Sequence, residues 1–221
     1  MDKIDNKNNN SFYSKVFGWL FVGILITFVS AYMVSHSYEL LSLIASSSAY
    51  WIIFIAQIGL CIFLTARINK MSSTTAMICY ILYTLLTGVT FSILFIVFYM
   101  YSIMYIFLAT AIVFGIFALI GSKTKINLAS YGTFLLVALL SLIVLEVINM
   151  FMLNNTVDMV LCIVGIVIFV GYIAYDMQHI KVLAESGEGN TNLAILGAFE
   201  LYLDFINLFI KLLRLFGKER D

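Results

Sequence analysis

The run Leu196-Gly-Ala-Phe-Glu-Leu-Tyr-Leu-Asp-Phe-Ile-Asn-Leu-Phe-Ile-Lys-Leu-Leu-Arg-Leu-Phe216 is long and apolar enough to cross a bilayer, yet it carries both acids and bases. Glu200, Asp204, Asn207, Lys211 and Arg214 follow steps of four, three, four and three, which places them on one face of a helix. Each ionisable group in a span costs about 3 kcal/mol or more, so this stripe cannot face lipid. The helix is expected to be central in a bundle or to line a wet cavity. A purely structural alternative pairs the stripe internally, with Glu200 and Asp204 neutralised by Lys211 and Arg214.

Outward from that run, the chain repeats the pattern. Apolar stretches fall at 17–34, 50–66, 76–98, 103–120, 131–153, 157–174 and 196–216, separated by breaks at 35–48, 67–75, 99–102, 122–130, 154–156 and 181–192. The composition is 63% hydrophobic and 11% charged, against about 45–50% and about 25% in soluble domains, and the mean hydropathy is +1.06. The expected fold is therefore an all-α polytopic membrane protein, a bundle of seven transmembrane helices with the last one central. Residues 1–12 read as a polar tail, 13–217 as the membrane domain and 218–221 as a short carboxyl-terminal tail. With no proline in the chain, uninterrupted helices are expected. No internal repeat argues for two inverted halves.

Basic residues orient the bundle. Lys3, Lys7 and Lys15 precede the first span, and Arg67, Lys70, Lys123, Lys125 and Lys181 occupy alternate loops, while the opposite loops carry Glu39 or Asp158 and no Lys or Arg. This asymmetry puts the amino terminus in the cytoplasm. Seven full crossings then leave Lys211, Arg214, Lys218 and Arg220 toward the outside, which a re-entrant last segment would avoid; the length of 196–216 favours a full crossing. Short loops and the lack of targeting signals point to a bacterial cytoplasmic membrane. The 12 basic and 12 acidic residues balance, which excludes nucleic acid as a partner. Cys61, Cys79 and Cys162 lie in apolar stretches and read as packing residues. His36 and His179 fall on opposite sides, so no zinc cluster is expected.

Four further membrane residues stand out. Glu146 and Asn149, three apart in the fifth span, face one direction and read as ion-path oxygens or as a buried hydrogen-bonded pair. Asp176 closes the sixth span about one turn from Lys181, with His179 beside it. If the seventh helix enters near Gly197, Asp204 lies about 10 Å deep and can reach Asp176 at about 7 Å; entry at Asn192 places it nearer about 18 Å, out of reach. Two carboxylates that meet in a low dielectric cannot both ionise cheaply, so a shared proton would bridge them and its loss would move the helices. Arg67 ends the second span on the side of Asp176 and reads as a positive-inside anchor or a partner of that acid.

Several segments together resemble the transmembrane Bax inhibitor motif family, also called the Bax inhibitor-1 family, in its short bacterial members. They are Phe12-Tyr13-Ser14-Lys15-Val16-Phe17, Arg67-Ile68-Asn69-Lys70-Met71-Ser72, Gly88-Val89-Thr90-Phe91-Ser92, Gly171-Tyr172-Ile173-Ala174-Tyr175-Asp176-Met177-Gln178 and Leu201-Tyr202-Leu203-Asp204-Phe205-Ile206-Asn207-Leu208-Phe209. The last two are the specific ones. The resemblance implies seven helices around a central last helix and a pH-sensitive calcium leak. It implies that Asp176 and Asp204 form the pH-sensing dyad, that Arg67 is the latch on that pair when the pore is shut, and that Arg214 helps hold the last helix. The second span departs from the pattern, offering Arg214 only Gln57 and no carboxylate.

Calcium prefers hard oxygens, which Asp176, Glu200, Asp204 and Asn207 could supply, Asp176 and Asp204 being the candidate ligands. No cofactor is required, the bilayer, Ca²⁺ and protons are the expected partners, and a monomer suffices. An enzyme is not expected, because no G-x-S-x-G, H-E-x-x-H or paired-aspartate protease motif occurs. A retinal protein using Lys211 would want counter-ions in the third span, which has no acid. The alternative function is a non-conducting scaffold that regulates a protease or a stress or cell-death pathway through protein contacts.

Overall fold

The computed structural model describes residues 2–45, 47–186 and 189–220, and side chains within these apart from 2–8, 45, 47 and 48. The positive charges expected at Lys3 and Lys7, and the loop residues Gly187 and Glu188, lie outside that description. The described residues form nine α-helices, α1 Asp2–Ser35, α2 Tyr38–Ala45, α3 Ser47–Arg67, α4 Ser73–Phe91, α5 Leu94–Val97, α6 Met100–Lys123, α7 Gly132–Met152, α8 Asn155–Glu185 and α9 Thr191–Phe216. Seven helical segments are long and apolar enough to cross a membrane, as the hydropathy pattern predicts.

The structure differs from the sequence expectation at three places. The third span is not one uninterrupted helix: α4 stops at Phe91 and a short α5 follows. Here Ser92 N–H donates to both Gly88 O and Val89 O, and Ser92 Oγ donates back to Val89 O at 2.7 Å. Hydroxyls that bond back onto the preceding turn compete with the helical ladder and bend it. The break at 35–48 contains the two-turn helix α2, whose brevity hides it from a span-length search. Finally, α8 runs on to Glu185 and α9 begins at Thr191, past the apolar edges at 174 and 196. Both helices therefore extend by turns of mixed polarity that the apolar runs leave out.

Contacts gather the chain into two compact units. The first comprises Met1–Tyr99, Leu183–Tyr202 and Glu219–Asp221, the second Met100–Val182 and Leu203–Lys218. In the first unit α1 buries Phe12, Val16 and Leu20, a four-residue repeat that makes one helix face. α1 and α4 approach so closely that a Cβ on Gly88 would fall 1.8 Å from Ser30 Oγ and 2.5 Å from Thr27 O, so only glycine fits. Thr27 Oγ1 donates to Gly23 O or Thr84 O and shares a 2.6 Å hydrogen bond with the Tyr202 hydroxyl. Tyr80, Tyr83, Phe199 and Tyr202 pack edge to face around it. Asn192 ties the 3₁₀ turn Ile68–Lys70 to the start of α9, donating to Ile68 O and Met71 O and accepting from Ser73 Oγ. Arg220 N–H donates to Val97 O and holds the carboxyl-terminal residues.

In the second unit, Phe107 and Phe114 of α6 pack edge to face on Phe205, and Phe107 also on Phe209. Gln178 of α8 closes the α6–α7 loop, donating to Ile126 O and accepting from Leu128 N–H. The α7–α8 turn is set by Leu153 in the left-handed region, φ 51°, and by Asn154, whose side chain caps the next helix at Thr156 and Val157. Asn149 O accepts from Leu153 N–H in the same turn.

α9 is the most enclosed span: 67% of its apolar window is buried, against 11% to 39% for the other six. That burial agrees with the one-sided polar stripe, which has to be covered by protein.

Candidate functional site

The site is built where α8 and α9 run antiparallel in the second unit. Asp176 sits nine residues before the end of α8, about 14 Å along the axis, and Asp204 thirteen residues into α9, about 20 Å. Their carboxyl groups lie within hydrogen-bond reach of each other. A start of α9 as early as Thr191 does not separate them, because α8 is extended at the same end. Asp176 is 8% exposed and Asp204 4%, so neither carboxyl is a surface group at a helix end. Two carboxyls can hydrogen-bond only if one carries a proton, so a pair this close is one that can share a proton. Oδ2 of Asp204 is enclosed, and among the described residues no hydrogen bond is made to that atom.

The rest of the stripe has a different job from the internal neutralisation considered above. Lys211 pairs with Glu146 of α7, and Arg214 with Asp158 in the first turn of α8. The bases of α9 are thus matched by acids of other helices and not by Glu200 and Asp204. This answers two sequence puzzles. Two of the four bases at the end of the last span, Lys211 and Arg214, are neutralised by ion pairs, and Arg214 finds its carboxylate on α8 where the second span offers none. Asp158 was legible only as a loop acid, although its place in the first turn of a helix, at the same end as Arg214, is the signal that identifies it.

The remaining candidates separate. Asn149 is buried, and its Oδ1 accepts from Asn154 N–H, capping the end of α7. Asn207 donates to Leu203 O within its own helix. Glu200 is half-buried, His179 is exposed, and Arg67 closes α3 in the first unit with its side chain exposed. Among the described residues no three His, Cys, Asp or Glu side chains gather into a metal-binding group. The pair therefore offers a cation two carboxylates and no third acidic or imidazole ligand.

The family described as inhibitor of apoptosis-promoting Bax1 matches residues 9–221. An inner membrane protein of Escherichia coli K12, YbhL, is 37% identical over 216 residues, which cover 95% of this chain and 92% of YbhL. A protein of Borreliella burgdorferi is 36% identical over 217 residues, 96% of this chain and 94% of its own length. One of Rickettsia prowazekii is 33% identical over 210 residues, with 94% and 89% covered. With seven helices of membrane-crossing length and this match over almost its whole length, the chain is a multi-pass membrane protein that belongs to the Bax inhibitor-1 family.

Proposed function

We propose that the protein is a pH-sensitive calcium leak of a bacterial cytoplasmic membrane, with its amino terminus in the cytoplasm, gated by Asp176 and Asp204. The observation that carries this reading is the buried carboxyl–carboxyl contact between α8 and α9. While one proton is shared, the two helices are joined at that point. Once it leaves, two carboxylates face each other in a low dielectric and repel, and the helices separate or the pair recruits a cation. Arg67 is the proposed latch, an arginine that neutralises the ionised pair in the shut state, with His179 as a nearby modulator. Glu200, Asn207, Glu146 and Asn149 are the proposed oxygens of the ion path, and Ca²⁺ is the cargo, not a resident cofactor.

The test is reconstitution of the purified protein into liposomes that hold a calcium dye, with Ca²⁺ entry recorded from about pH 5 to 8, the range over which a coupled carboxyl pair in such a site titrates. Entry above that of empty liposomes, with a pH dependence flattened by Asp176→Asn or Asp204→Asn, is the expected result. Arg67→Ala should raise entry at the pH where the wild type is most nearly shut. Folded, inserted protein that stays tight at every pH replaces the leak with the scaffold reading.

A further inference from the structure

Four charges of the second unit lie beyond the carboxyl pair and are assembled with as much care. Lys211 and Arg214 stand seven and ten residues along α9 from Asp204, about 10 and 15 Å. Lys211 is 5% exposed, and the Glu146 side chain that holds it is 32% exposed. The backbone of α8 is cut away to admit the lysine: a Cβ on Gly165 would lie 3.0 Å from Lys211 Cε and 3.2 Å from Cδ. Leu142 of α7 closes the same slot, 3.3 Å from that Cβ position. Three helices thus converge on one ammonium group. Cys162, one turn after Asp158 and three residues before Gly165, is buried there within electrostatic reach of all four charges.

We propose that the ion pairs Lys211–Glu146 and Arg214–Asp158 form a second gate, which excludes divalent cations until α9 releases Glu146 and Asp158. This rests on the calcium-leak reading. A divalent cation that has passed the carboxyl pair meets a buried ammonium of like charge, and the carboxylates that could receive it are already occupied. Like charge in a desolvated passage is strongly repulsive, whereas released carboxylates are the hard ligands such an ion prefers. Passage therefore requires α9 to give up its bonds at both places, and loosening the carboxyl pair alone leaves the path shut. Gly165 matters because the lysine stem can lie in the path only if α8 has no side chain there.

The experiment uses the full chain in liposomes with Cys61→Ala and Cys79→Ala, so that Cys162 is the one thiol. Modification of Cys162 by a membrane-impermeant maleimide and Ca²⁺ entry across the pH range are measured for this background, for Lys211→Met, for Glu146→Gln and for the exchange Lys211→Glu with Glu146→Lys. Either single substitution should speed modification by about tenfold or more, as expected when a local opening loses a buried ion pair. Lys211→Met, which removes the ammonium and frees the carboxylate, should also raise Ca²⁺ entry severalfold without moving the midpoint of the pH profile, whereas Glu146→Gln, which leaves the ammonium unneutralised and removes the ligand, should not raise it. The exchange should return both readings toward the background, which separates loss of the pair from loss of the fold. Unchanged modification of Cys162 overturns the gate whatever the flux does, and so does faster modification of Lys211→Met with unchanged entry through a background that leaks. A background that is tight at every pH overturns the leak reading itself, and the gate with it.

Discussion

One helix, α9, is held by two kinds of chemistry. Residues 191–202, in the first unit, are fixed by neutral groups: Asn192 on a loop backbone, Tyr202 on the Thr27 hydroxyl, and a cluster of aromatic rings. Residues 203–216, in the second unit, are fixed by charge: Asp204 on Asp176, Lys211 on Glu146 and Arg214 on Asp158. Neutral hydrogen bonds and ring contacts do not change with proton concentration near neutrality, whereas a carboxyl pair does. On the proposed function the first half holds position and the second responds.

The comparison breaks most sharply at the buried ion pair. Glu146→Ala strands the Lys211 ammonium where water cannot reach it, and should cost about 3–5 kcal/mol in thermal unfolding in detergent. Lys211→Met leaves behind a carboxylate that is a third exposed and should cost distinctly less. Glu146→Leu combined with Lys211→Met should recover most of the loss, since a hydrophobic replacement of both partners is close to neutral. Full additivity of the two single effects would contradict the pairing.

In the neutral half, Gly88→Ala forces a methyl group into Ser30 and the Thr27 carbonyl, and about 1–3 kcal/mol is expected from overpacking. Tyr202→Phe removes one hydrogen bond and should cost about 1 kcal/mol, by the same amount at pH 5 and at pH 8. A pH-dependent penalty there would erase the distinction between the halves. Arg214→Ala breaks a pair at the exposed end of the helix and should change the thermal midpoint least, about 0–1 kcal/mol, because water screens it.

Much of this was legible in the sequence, for a physical reason. Lipid imposes a length and an apolarity on every span, so seven runs could be counted, and a stripe of charge at helical spacing had to be covered by protein. The pairing of Asp176 with Asp204 was conditional on where α9 starts, and the apolar runs misplaced both helix ends because 175–185 and 191–195 mix polar with apolar residues. Asp158 and Glu146 could not be matched to Arg214 and Lys211 from one sequence, since the match depends on depth across three helices. The break after Phe91 escaped because no proline marks it. Its cause is hydroxyls bonding backward, which look the same in sequence as hydroxyls in an intact helix.

The most direct measurement of the central claim is an infrared pH titration of the reconstituted protein, following the carbonyl stretch of protonated carboxyl groups in the same liposomes used for Ca²⁺ entry. The account predicts one titrating band that disappears in both Asp176→Asn and Asp204→Asn, and whose loss follows the change in entry across the same pH interval. A calcium flux that varies with pH while no such band titrates, or a band that titrates with no accompanying change in flux, would contradict it.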